Sequence, residues 1–176
     1  MSISALSPAQ IATLSAGTIG ALSTTDLSSL ASTQVAAIST SGIAALASTQ
    51  IGAITTTAVA GLTAAQIPSL ATSVLFSATQ LQQLSAAQVH ALNTTEAALL
   101  NTTEISAISS TQAAGLTAAQ INNFSATDII DLSTSAVHAL SSAVIGALGT
   151  NVNVLTAGQV GALTGAGPAA WTTGRR

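Results

Sequence analysis

Two histidines, five acids and a large stock of hydroxyls are the residues of this chain that could do chemistry. His90 and His138 are too far apart to share an ion. With no cysteine in the chain, and the acids at another position of the pattern, each is expected to be an exposed imidazole without a metal. Glu96, Glu104, Asp26 and Asp128 would be the carboxylates of an acid–base or glycosidase pair. All four stand where glutamine stands elsewhere, which reads as a structural role. The serines and threonines have no base placed to make one of them a nucleophile. Asn93-Thr94-Thr95, Asn101-Thr102-Thr103 and Asn123-Phe124-Ser125 match the glycosylation sequon, but Asn93 and Asn101 fall where a helix needs a cap. The residues therefore point to no catalytic, cofactor or metal site and to no enzyme. Arrayed hydroxyls suggest ice binding, yet these are spent as caps.

What positions them is a repeat of eight. Leu84-Ser85-Ala86-Ala87-Gln88-Val89-His90-Ala91-Leu92 shows it: aliphatic, hydroxyl, two small residues, Gln, aliphatic, two small residues, aliphatic. With Ser85 as a helix N-cap, Gln88 takes the third helical position of a capping box, and Leu84 and Val89 become the partners of a hydrophobic staple. The same frame puts Pro8 at the first helical position after Ser7, where its missing N–H costs nothing. Ser, Thr or Asn fills 17 of the 21 cap positions from Ser7 to Thr164, the exceptions being Ala31, Ala47, Ala71 and Gly149. Gln, Glu or Asp stands three residues later in 13 of them, four of the five acids included. An acid there also meets the positive end of the helix dipole.

The aliphatics come three and five residues apart, as at Ile11, Leu14, Ile19 and Leu22. A five-residue step turns the stripe off one face of a continuous helix. In a straight strand the two aliphatics of a unit would face opposite ways. The expected fold is all-α: a solenoid of short, about two-turn helices, one per octad. A β-solenoid with a corner in each octad stays open as the alternative. Helices this short do not persist alone, so each must lean on its neighbours. Ala21, Ala37, Ala45, Ala53, Gly61, Ala91, Ala107, Gly115 and Ala139 share one phase, where bulk would hold neighbouring helices apart.

The solenoid is expected over residues 1–164, with phase defects at 71–76 and 149–155 and a cap or tail at 165–176. Pro68 should end its helix, Phe76 should fill the space left by the short unit after it, and Trp171 should close the last layer. Between the defects the helix faces carry Gln82, Gln83, His90, Asn122, Asn123, Asp131 and His138 in place of Ala and Gly, a candidate binding face for a glycan or a protein.

Composition narrows the classes. Aromatics make up 2% and charged residues 4% of the 176, and the only cations are Arg175 and Arg176. That excludes a nucleic-acid groove and a polybasic membrane surface. Ser or Thr interrupts every apolar run before a membrane span is reached. Met1-Ser2-Ile3-Ser4 lacks the basic region of a signal peptide; if the chain is secreted, its address lies elsewhere or has been cut away.

The units Leu62-Thr63-Ala64-Ala65-Gln66-Ile67, Leu116-Thr117-Ala118-Ala119-Gln120-Ile121 and Leu155-Thr156-Ala157-Gly158-Gln159-Val160 resemble the L-[ST]-x-x-Q-[IV]-x-A repeats of large bacterial surface proteins, often described as adhesin-like. The resemblance covers about 160 residues and implies an extracellular or cell-surface stalk or spacer. It carries architecture and no functional residue. The expected role is a non-catalytic spacer, surface layer or filament-forming solenoid that associates end to end. The alternative is a binding module using the polar face of residues 82–131.

Overall fold

The computed structural model describes residues 3–70 and 76–164. Its regular elements are helical throughout, and each short helix begins at the cap that the octad marks. The chain forms two compact bodies, Met1–Leu84 and Ser85–Arg176. The first carries α1 (Pro8–Ala12), α2 (Ala16–Gly20), α3 (Thr24–Ser28), α4 (Ser32–Ala37), α5 (Thr40–Ala44), α6 (Ser48–Ala53), α7 (Thr56–Val59) and α8 (Ala78–Leu81), with 3-10 turns at Ile3–Ala5 and Ile67–Ser69. The second carries α9 (Ala86–Ala91), α10 (Thr94–Ala98), α11 (Thr102–Ser106), α12 (Ser110–Ala113), α13 (Ala118–Ile121), α14 (Ala126–Asp131), α15 (Thr134–Ala139), α16 (Ser142–Ala147) and α17 (Ala157–Thr164), with a 3-10 turn at Gly149–Val154.

One unit shows how the chain turns its corner. Ser85 is extended (φ −74°, ψ 165°) and its side chain accepts the N–H of Gln88, while the Gln88 Oε1 accepts the N–H of Ser85 at 2.6 Å. The helix ends at Leu92, which is extended again (φ −57°, ψ 131°) and donates its N–H to Val89 at 3.2 Å. Asn93 then caps the next helix. Leu92 and Asn93 thus separate α9 from α10, and helices of four to six residues result from α1 to α16. Ala31 and Ala47 offer no side-chain acceptor. Their units keep half of the box, the N–H of each held at 2.7 Å by Gln34 and Gln50.

Each unit stacks on the unit three places further on. In the first body α1 packs on α4, α4 on α7 and α7 on α8; α2 packs on α5 and α5 on the turn at Ile67–Ser69; α3 packs on α6. In the second, α9, α12, α15 and α17 form one column, α10, α13 and α16 another, and α11, α14 and the turn at Gly149–Val154 a third. Three units of eight residues therefore make one coil of 24, the offset between Pro8 and Ser32 at the heads of α1 and α4. The two aliphatics of each octad point inward: Ile43, Ile51, Val59 and Ile67 in one body and Ile105, Ile129 and Val137 in the other are each 0% exposed.

The small-residue phase is where successive coils of a column touch. A Cβ on Gly61 would collide with the carbonyl oxygen of Ser32, and one on Gly115 with that of Ala86. The first residue of one helix thus rests on the end of the helix a coil away.

Pro68 allows no α-helix in its unit, which keeps only the 3-10 turn. Phe76 is 3% exposed. Most of the first defect, Ala71 to Leu75, and the tail with Trp171 lie outside the described residues. The second defect is the 3-10 turn, opened by Gly149 at φ +54°, the left-handed region that suits glycine.

Candidate functional site

The residue that holds the coils together is the octad's glutamine, through the half of its side chain that the helix cap leaves free. In Gln120, Oε1 accepts the N–H of Thr117 at 2.8 Å, closing the local box. Nε2 points the other way and donates to the carbonyl oxygens of Val89 at 2.8 Å and Leu92 at 2.7 Å, residues 31 and 28 positions earlier. Those carbonyls belong to a helix end, where the regular bonds of the helix run out; that of Val89 also takes the Leu92 N–H. One carboxamide thus satisfies the start of its own helix and the end of another.

The clasp recurs, its acceptor nearest in sequence lying 28 residues earlier for Gln34, Gln50 and Gln66 and 27 for Gln159. Gln34 donates to Leu6 at 2.8 Å, Gln50 to Leu22 at 2.7 Å, and Gln66 to Ile38 at 2.6 Å and Val35 at 3.0 Å. Gln159 donates to Leu132 at 2.8 Å and Ile129 at 3.0 Å. Where the chain has lost residues the offset shrinks with them: Gln80 reaches Ile54, 26 positions back. These glutamines are buried or nearly so, with Gln66 and Gln159 each 2% and Gln120 1% exposed. Gln10 is exposed and makes only the local bond to Ser7, at 2.9 Å. Sequence reasoning found the cap and missed the clasp.

Acids in this position keep the cap alone. The Asp26 carboxylate is held below the usual range by the hydroxyl of Ser23, 2.7 Å away, and then by the Ser23 N–H, with slight desolvation opposing. Glu96 Oε2 accepts the N–H of Asn93 at 2.7 Å, and Glu104 Oε2 that of Asn101 at 2.9 Å. Burial pushes the Glu96 carboxyl up, and the bond from Asn93 offsets part of this. The carboxylates therefore sit in separate units, each turned to its own cap.

The residues of the candidate binding face belong to both bodies. Gln82 and Gln83 follow α8 in the first body. In the second, Asn122 and Asn123 close α13, Asp131 ends α14, and His90 and His138 end α9 and α15. These belong to three columns, so within the second body only the histidines share one. The Nδ1 of His90 donates to the carbonyl of Gly115 at 3.2 Å and that of His138 to Ala162 at 2.8 Å, each toward the next helix of the column. Asn123 is exposed and donates to Ala119 at 2.8 Å. Asn93 and Asn101 cap their helices, each Oδ1 accepting a glutamate N–H. Asp131 Oδ2 is buried without a hydrogen-bond partner.

Among the described residues no three His, Cys, Asp or Glu side chains gather where they could hold a metal ion, and no helix is long and apolar enough to cross a membrane.

Comparison with known proteins agrees with the repeat. A family model described as the ALTTAQ repeat matches residues 19–56. Set on this chain at Ala45-Leu46-Ala47-Ser48-Thr49-Gln50, those six letters run from the end of one unit to the clasp of the next. No curated protein and no solved structure matches the chain.

Proposed function

We propose that this helical repeat chain is a structural protein, a non-catalytic spacer or surface-forming solenoid outside the cell, whose coils stack on coils of other copies. The observation that carries the reading is the use of Gln34, Gln50, Gln66, Gln80, Gln120 and Gln159: oxygen to the local cap, nitrogen to backbone carbonyls of another coil. Polar side chains that elsewhere would meet a ligand are here spent on joining coils. The acceptors are backbone groups, present in any coil of this register, so one coil fits another whatever chain it belongs to. The resemblance to bacterial surface repeats supports the extracellular setting.

Sedimentation velocity over a range of concentrations, with electron microscopy of the same samples, tests the reading. Linear species that lengthen with concentration are expected. A monomer at every concentration would remove the self-stacking part.

A further inference from the structure

The two aliphatics that flank each cap are not covered equally along the array. From α4 to α15 the residue before each described cap and the residue four places after it are both buried, as with Leu30 and Val35 at 4% and 0% exposed. In α1, α2 and α3 only the second is buried, at Ile11, Ile19 and Leu27; the first, Leu6, Leu14 and Leu22, is half-buried. In α16 the order is reversed: Leu140 is buried and Ile145 half-buried, and in α17 Val160 is half-buried along with Leu155. The leucine before a cap therefore looks toward the coil that precedes, and the aliphatic after it toward the coil that follows. Gln10 marks the first of these faces again. Its Oε1 holds the Ser7 N–H at 2.9 Å, and its Nε2 has no acceptor among the described residues. No glutamine follows Gln159, which clasps the end of α14, so the ends of α15 and α16 receive no clasp among the described residues.

We propose that these two faces are partners: the leucine face of α1, α2 and α3 in one copy seats on the Ile145 and Val160 face of a second copy, where Gln10 gives its amide N–H to a helix-end carbonyl. The proposal rests on the stacking reading above and adds which face meets which. Wherever one coil follows another within a body, both kinds of aliphatic are covered and a glutamine amide finds its carbonyls. The occupant that each face lacks is thus a coil of the same design. Each face also supplies what the other is missing, since one brings an amide donor and the other helix ends that no glutamine clasps. Two leucine faces together would set amide against amide and give neither a carbonyl. The contact is therefore heterologous, and a contact of this kind that does not close into a ring adds copies one after another. Covering the half-buried aliphatics drives it, and the amide sets its register.

Sedimentation velocity of the full chain tests the pairing with L14E and I145E, each of which puts a charge on one face only. The wild type should grow with concentration, and each variant alone should stay monomeric. Their equimolar mixture should stop at a dimer, joined through the leucine face of I145E and the Ile145 face of L14E. Circular dichroism checks that both variants fold. Q10A changes an exposed side chain, leaves the apolar faces as they are, and should weaken association by about tenfold. Variants that grow as the wild type does, a variant that dimerises alone, or a mixture of folded variants that stays monomeric would overturn the pairing and leave stacking itself standing. Unchanged association of Q10A would overturn the part given to the amide. A wild type that is monomeric at every concentration would overturn the stacking reading and the pairing with it.

Discussion

The amide nitrogen of Gln120 lies 2.7 Å from the carbonyl oxygen of Leu92, 28 residues earlier, and this one bond ties the start of α13 to the end of α9. Its removal should cost more than a cap. Replacing Gln120 with Ala deletes the bonds to Val89, Leu92 and Thr117 and leaves two buried carbonyls without that donor. At ~0.5–1.5 kcal/mol per bond, with the unsatisfied Leu92 carbonyl added, a loss of roughly 2–4 kcal/mol is expected. Gln10 makes only the exposed local bond, so Q10A should cost about 0.5–1 kcal/mol. Chemical unfolding of the two variants measures the difference between cap and clasp.

Converting Gln120 to Glu keeps the shape and the cap and removes the donor. At neutral pH Q120E should lose on the order of 1–3 kcal/mol, because a carboxylate oxygen then faces two carbonyls. Protonation restores an O–H, so the deficit should shrink in acid. Unfolding midpoints that fall in parallel with the wild type at every pH would contradict the role given to Nε2.

The local half of this architecture was legible and the non-local half was not. Ser85 and Gln88 interact within three residues, so the cap leaves its mark in the octad, and the helix starts fall where the hydroxyls are. The acceptors of the clasp are backbone carbonyls, which every residue has, so nothing at Leu92 or Val89 announces the bond. The trace that did exist was the choice of Gln over Glu. Both serve a capping box, yet Gln fills the position at 10, 34, 50, 66, 80, 88, 112, 120 and 159, and Glu only at 96 and 104. A preference for the amide means that its nitrogen is used. Within the second body Asn122 and Asp131 enter different columns because their octads are neighbours along the chain.

Glycines in different phases should respond oppositely to a methyl group. At Gly115 the added Cβ meets the Ala86 backbone, which cannot swing aside, so G115A should destabilise by about 1–3 kcal/mol. Gly52 lies inside α6 with open space around it, and G52A should stabilise by up to about 1 kcal/mol. Melting temperatures moving in opposite directions would confirm that the contact between coils is made at Gly115 and not at Gly52.

Asp26 gives the array an acid-sensitive point of opposite sign to Glu96. Its carboxylate takes the Ser23 hydroxyl at 2.7 Å and the Ser23 N–H at 3.2 Å, and both bonds favour the charged form. A carboxyl lowered in the folded state contributes stability above its unfolded value and loses it as pH falls through the folded one. Replacing Ser23 with Ala removes the hydroxyl's bond, the stronger of the two, and keeps that of the N–H. The NMR transition of Asp26 should then move up toward the ordinary aspartate range, and with it the pH at which α3 begins to fray. A transition that stays put in S23A would show that the backbone N–H alone holds the charge.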